Sequence, residues 1–219
     1  MKKHFLLFVL IVANAIVFAG KGLVVTQKYS TSTEGQNVSV TWYVTETQCK
    51  LSMHFSDKDV NTVSYFIPDV KSGKMLAYTD GPTPSGVSKV YYSVPVASIK
   101  GDVNTSVTER TGETKMIGGM NCERIVAKSP NWVTEMWVTK DFKGDYYRFA
   151  SFFKNSYELK VLSEGSIKGF PLASVTKDNG GKVINSYELV SVSSSEISDT
   201  EFHVPSEYKS ADEVSKEKK

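Results

Sequence analysis

The sequence predicts a mainly β (α+β) protein, built as a single curved antiparallel sheet with one or a few helices packed on its concave face. Most of the chain after residue 20 alternates apolar and polar residues, and turn-forming stretches separate these runs. Such alternation is typical of antiparallel strands with one buried and one solvated face. The pattern indicates roughly nine to eleven strands. A sheet of that size tends to curl toward a barrel or to split into a sandwich.

The first element is a predicted signal peptide over residues 1–19. A basic head, "MKKH", precedes an apolar run from Phe5 to Phe18 that only Asn14 interrupts, and Ala19 offers a cleavage site. This pattern directs export, and the run is shorter than the ~20 residues that span a bilayer. We therefore expect a secreted or periplasmic protein of the bacterial envelope, without a transmembrane anchor after cleavage. Residues 20–209 are predicted to form one domain, followed by a charged, disordered tail over 210–219.

The strand pattern is clearest in "NVSVTWYV", where Val38, Val40, Trp42 and Val44 share one face. Turn residues then indicate two places where the chain bends. "DNGG" at 178–181 lies between two strand-like runs, and "GGMN" at 118–121 supplies a bend because glycine tolerates a positive φ. The first stretch therefore predicts a hairpin, and the second predicts a bend or bulge between two strand-like runs.

A single segment breaks the strand pattern. "GDYYRFASFFKNSYELKVL", from Gly144 to Leu162, has no proline and no internal glycine. Phe149, Phe152, Phe153 and Ser156 recur at helical spacing, with Tyr146 one turn earlier, and Asp145 is a candidate N-cap. We predict a helix over 145–162 whose aromatic stripe lies against the sheet.

The composition and motifs argue against several classes of protein. Cleavage of the signal peptide would remove Lys2 and Lys3, so the net charge of +2 would fall to about zero. A neutral protein is a poor candidate for binding the phosphates of a nucleic acid. His54 and His203 flank apolar strand residues and are predicted to face solvent. No spacing of Cys, His or carboxylates matches a metal site, and no motif indicates a cofactor or a catalytic residue. A non-enzymatic protein is expected.

The two cysteines, Cys49 and Cys122, admit three roles: nucleophile, metal ligand or disulfide. Cys122 follows a glycine turn on a strand, with neither a neighbouring base nor a helix N-terminus to activate its thiol. In an oxidising envelope the remaining expectation is a disulfide between Cys49 and Cys122. That bond requires the two Cα atoms to lie within ~7 Å.

Aromatic and apolar residues are plentiful on the strands and on the predicted helix. They form either a filled core or the wall of a cavity for a lipid or acyl chain, and periodicity does not separate the two. The candidate cavity residues are Trp42, Phe55, Tyr92, Trp132, Met136, Phe149, Phe152 and Phe153.

An ordered set of motifs resembles a known family. "TGETKMIGGMNCERIVA" (Thr111 to Ala127) is followed by "TEMWVTKDF", by "GFPLASVT", and by a closing F-x-V-P-x-x-Y at residues 202–208. The series resembles the exported bacterial domain-of-unknown-function family 4412, and its last two motifs are similar to the lipoprotein-carrier-like (LolA-like) superfamily. The resemblance implies an incomplete antiparallel barrel with helices as a lid over an apolar interior.

Three functions remain open at this point. The first is binding of a hydrophobic ligand (a lipid, an acyl chain or a lipoprotein) in an apolar cavity of the half-barrel. The second is an envelope or surface module for protein interaction, with a core filled by its own side chains. The third is a hydrolase, for which Cys122 would be the nucleophile to test.

Overall fold

The computed structural model describes residues 19–32, 38–57, 60–81, 89–98, 107–142, 144 and 146–217. Its main element is one large, open, curved sheet of 12 strands, which confirms the predicted fold class. The strands are β1 (Ala19–Thr31), β2 (Val38–Thr45), β3 (Cys49–Asp57), β4 (Val60–Asp69), β5 (Lys74–Asp80), β6 (Val90–Pro95), β7 (Val107–Ile117), β8 (Met120–Lys128), β9 (Trp132–Thr139), β10 (Phe170–Asp178), β11 (Val183–Ser198) and β12 (Lys209–Ser210). Apart from residue 19, the predicted signal peptide lies outside the described residues.

The strand order is β12-β6-β5-β4-β3-β2-β1-β11-β10-β9-β8-β7. Neighbours are antiparallel except β12, which pairs with β6 in parallel. The predicted hairpin at 178–181 is confirmed, and the predicted bend or bulge at 118–121 is the turn of a second hairpin. Gly118 and Gly119, with φ of 57° and 80°, join β7 to β8, and the Asp178 carboxylate accepts hydrogen bonds from the backbone N–H groups of Gly180 and Lys182 in the β10–β11 turn.

The sheet has a partial split between β10 and β11. These strands pair only from Ser174 to Lys177, and beyond that point β11 continues along β1. Gln27 of β1, 2% exposed, spans the split because its amide Nε2 donates to the carbonyl oxygens of Pro171 and Leu172, each at 3.0 Å. The side chain thus provides a donor to carbonyl groups of β10 at residues where β10 does not pair with β11.

The core lies on the sheet face that carries Trp42, which we call the inner face. Described residues between 142 and 169 cover this face and include a 3-10 turn (Tyr146–Phe149) and helix α1 (Tyr157–Glu164). The predicted helix over 145–162 is therefore wrong in length, and its proposed N-cap, Asp145, lies outside the described residues. Its aromatic stripe does face the sheet, with Phe149 fully buried and Phe152 5% exposed.

The break before α1 has a local cause. The Ser156 hydroxyl accepts a hydrogen bond from the Leu159 N–H at 3.2 Å, which is N-cap geometry and begins a new helix there. Serine and asparagine also favour caps and turns over helix interiors, so Asn155 and Ser156 interrupt the stripe.

The C-terminal segment packs on the opposite, outer face of β4–β6. Tyr208 joins Ile67 and Tyr78 in a small second cluster. Within the predicted tail over 210–219, Ala211–Glu217 form helix α2, and residues 218–219 lie outside the described residues. Ser210 and Glu213 make a capping box: the Ser210 N–H donates to the Glu213 carboxylate, and the Asp212 N–H donates to the Ser210 hydroxyl.

Candidate functional site

The inner face carries an apolar groove of about 420 Å³, a volume within the range of small-molecule sites. Its floor follows one register row across the sheet, in which Trp42, Leu51, Phe66 and Ala77 lie opposite one another on β2 to β5. The remaining floor residues come from other rows of the inner face. They are Tyr29, Met53, Met75, Val94, Asn185 and Tyr187.

The roof of the groove is the turn from Phe152 to Ser156, which connects the 3-10 turn to α1. It is fixed at two points. The Phe153 ring packs edge-on against Trp42 with centroids 5.4 Å apart, and the Lys154 Nζ donates to the Val96 carbonyl oxygen at 3.1 Å. The roof therefore bridges from the middle of the sheet to the end of β6.

The floor extends beyond this roof. Tyr92 lies opposite Ala77 on β6, one strand further along the same row, and is 57% exposed. Val94, which lines the groove, is 37% exposed although its strand position faces inward. The end of the groove at β6 is therefore open to solvent.

The other end of the groove is polar. Tyr29 and Tyr187 pack with ring centroids 4.7 Å apart, and Asn185 lines the groove beside them. Behind Ser156 lies Glu158, 4% exposed, whose carboxylate accepts hydrogen bonds from Ser174 Oγ at 2.7 Å and from Ser156 Oγ at 3.1 Å. Burial raises the pKa of Glu158, and these two hydrogen bonds oppose part of the rise. Burial also raises the pKa of Tyr187 well above its ordinary value.

Three of the eight predicted cavity residues line the groove, namely Trp42, Phe152 and Phe153. Tyr92 and Phe55 do not line it, and both are exposed. The other three, Trp132, Met136 and Phe149, belong to the filled part of the core. Strand parity alone would have found Leu51 and Met53, which occupy inner-face positions on β3, whereas the part played by β11 depends on its pairing with β1.

The predicted disulfide is not formed, since Cys49 and Cys122 are free, buried thiols. They lie on β3 and β8, and five strands separate these two in the sheet order. Burial raises the pKa of the Cys49 thiol well above its usual value and, with the nearby Asp141 charge, raises that of Cys122 to about 11. A neutral thiol is a poor nucleophile near neutral pH.

The outer face has a second, larger depression of about 560 Å³ between β4–β5 and the segment 202–208. Its lining mixes apolar residues with Asp69, Lys71 and His203, which suits an apolar ligand less well than the inner groove does. His54 and His203 are both exposed, as predicted. In the part of the chain that the structure describes, no three His, Cys, Asp or Glu side chains gather as metal ligands, and no helix is long and apolar enough to cross a membrane.

The family model for "Domain of unknown function (DUF4412)" matches residues 24–208, so the chain belongs to this family. No curated protein matches the sequence. Among solved structures, an uncharacterized conserved protein from Thermus thermophilus aligns with a TM-score of 0.51 at 10% identity, over 87% of this chain and 89% of that one. This likeness shows a shared fold.

Two further solved structures align less well. PNGF-II has a TM-score of 0.40 at 15% identity, over 91% of this chain and 32% of its own. MucB, in its complex with MucA, has a TM-score of 0.38 at 11% identity, over 85% of this chain and 55% of its own. This chain thus spans about a third of PNGF-II and about half of MucB.

Proposed function

We propose that this protein is an exported, non-enzymatic binding protein that holds a hydrophobic ligand in the inner groove. The ligand would be a lipid, a free acyl chain or the acyl group of a lipoprotein, as in the lipoprotein-carrier-like superfamily. One observation carries the proposal: a row of apolar side chains crosses β2 to β5 beneath a roof that is fixed at both sides, and the space between them is about 420 Å³.

The physical basis is apolar transfer. Inner-face side chains such as Met53, Phe66 and Val94 keep part of their surface accessible. An acyl chain laid over them would remove apolar surface from water on both partners, at about 25 cal/mol per Å², or about 0.8 kcal/mol for each buried methylene. The open end at β6 gives a chain a route of entry without disruption of the sheet.

The chemistry of the titratable groups supports a binding role over a hydrolytic one. Cys122 is fully buried, and burial raises the pKa of its thiol to about 11, which leaves little thiolate at neutral pH. His54 and His203 are exposed, outside the inner groove. The groove thus brings together apolar contacts with a few polar groups, which is the usual composition of a ligand site.

A pair of valine variants tests the proposal. Val94→Asp places a carboxylate at the open end of the groove, where a bound apolar chain would desolvate it. Val190→Asp is the matched control, because Val190 is 66% exposed on β11 and does not line the groove. Fluorescence titration with the neutral apolar dye N-phenyl-1-naphthylamine should show saturable binding to the wild type and to Val190→Asp. Affinity in Val94→Asp should fall at least about ten-fold.

Two results would contradict the proposal. The wild type could give no saturable fluorescence, in which case a filled protein-interaction module becomes the better description. Alternatively, Val94→Asp and Val190→Asp could bind the dye equally while both keep the wild-type circular dichroism spectrum, which would place the dye outside the groove.

A further inference from the structure

A hydrogen-bond acceptor is left without a partner at the polar end of the groove. Asn185, on β11, is 6% exposed and lines the groove, and its side-chain Oδ1 has no hydrogen-bond partner among the residues that the structure describes. Buried side-chain oxygens in native proteins nearly always have a donor, so each exception calls for an explanation. A ligand that fills the groove is one source of that donor.

The Asn185 amide lies beside the Tyr29 phenol. This neighbour opposes part of the rise that burial causes in the Tyr29 pKa, which is the effect of an amide N–H directed at the phenol oxygen. With Nδ2 on the Tyr29 side, Oδ1 is the amide atom that has no partner among the described residues. The register partners of Asn185, Thr31 on β1 and Thr176 on β10, hold the backbone in the middle of the sheet.

The surroundings of Asn185 disfavour an anionic head group. Glu158 lies behind Ser156, at the same end of the groove, and already takes its hydrogen bonds from Ser156 and Ser174. Lys154 is the cation among the groove-lining residues, and its ammonium donates to the Val96 carbonyl oxygen on the β6 side. A carboxylate or phosphate near Asn185 would thus lie at the same end of the groove as the Glu158 carboxyl group and away from the Lys154 ammonium.

We infer that the groove selects a neutral amphiphile, whose apolar chain lies along the Trp42–Ala77 row and whose hydroxyl or amide N–H donates to Asn185 Oδ1. This inference rests on the proposed function and adds the class of head group. Tyr29 and Tyr187 lie beside Asn185, so the amide would bind a polar group at the end of the apolar chain. Specificity of this kind arises because a ligand without the donor leaves a buried acceptor unpaired.

Displacement of N-phenyl-1-naphthylamine by two isomers tests the inference. 1-Decanol and nonyl methyl ether contain the same atoms, but only the alcohol donates a hydrogen bond. The wild type should require about three- to ten-fold less decanol than ether for half displacement, the range expected for one hydrogen bond. At about pH 8, where a fatty acid is ionised, decanoate should compete less well than decanol.

Variants assign the preference to the amide. Asn185→Leu should bind the ether as well as the wild type does and should lose the preference for decanol, whereas Asn121→Leu, an exposed amide at the start of β8, should keep it. The wild-type comparison needs no variant to fold, so it stands by itself. Equal displacement by alcohol and ether would overturn the inference and leave the groove proposal intact, and absence of displacement by either compound would overturn both.

Discussion

Substitution of Ala77 by leucine gives a direct measure of how the groove is used. Ala77 lies on the inner face of β5, opposite Phe66 on β4 and Tyr92 on β6, and its side chain lines the groove. Leucine adds three carbon atoms at a position that faces accessible space. The sheet should therefore accept the substitution without the strain that overpacking of a filled core causes.

The expected effect follows from the displaced contacts. If the leucine side chain occupies the space of about three ligand methylenes, the loss is about 0.8 kcal/mol for each, or about 2.4 kcal/mol in total. That corresponds to a roughly 60-fold weaker affinity for a long acyl chain. The free energy of unfolding should change by less than about 1 kcal/mol, because no buried contact is removed.

The assay is competition by a long-chain alcohol for N-phenyl-1-naphthylamine, in parallel with urea denaturation of each variant. Ala97→Leu is the matched control, since Ala97 is exposed in the 3-10 turn Val96–Ser98 just after β6 and does not line the groove. Equal affinities for Ala77→Leu and Ala97→Leu, with both variants as stable as the wild type, would refute the assignment of the ligand to this floor.

Two further predictions concern buried titratable groups. Burial raises the pKa of the Glu158 carboxyl group above its ordinary 4.5, so the folded state binds the carboxyl proton more tightly than the unfolded chain does. The free energy of unfolding therefore falls as the pH rises from 4.5 through the folded-state pKa. Glu158→Gln should therefore gain melting temperature relative to the wild type as the pH rises across that window, and a difference independent of pH would show that no buried proton is held there. Cys49 and Cys122 should resist a thiol-reactive dye in the native protein and yield two thiols per chain in denaturant without reductant, whereas a disulfide would yield none.

The strands and hairpins were accessible from the sequence because their signals are local. Alternation in Val38 to Val44 reports a half-buried strand whichever strands lie beside it, and Gly118–Gly119 adopt the positive φ that a tight hairpin turn requires. The order of the strands is not local. The pairing of β11 with β1 depends on the long-range packing of the sheet.

The helical segments show the limit of periodicity. The stripe from Tyr146 to Phe153 has helical spacing, yet the Ser156 cap begins a separate helix, and the local hydrogen bond outweighs the continuous pattern. At the C-terminus the charged composition predicts disorder, but Ser210 and Glu213 have the sequence spacing of a capping box and form its hydrogen bonds.

The site was predictable only in part, for a related reason. Trp42 and Trp132 have the same strand pattern, but the roof from Phe152 to Ser156 leaves space beside the first, while Tyr157 of α1 packs against Trp132 with ring centroids 5.1 Å apart. Which inner-face positions are filled depends on where the covering segment lies. The unpaired Asn185 Oδ1 is likewise a property of the packed structure, within the residues described.

The most direct test of the central claim is native mass spectrometry of the protein purified from its own host, with Ala77→Leu and Ala97→Leu prepared in the same way. The wild type and Ala97→Leu should carry a neutral adduct of lipid mass that is extractable into organic solvent, and Ala77→Leu should be largely free of it. A wild-type spectrum of the unliganded mass alone, or the same adduct on all three proteins, would contradict the account.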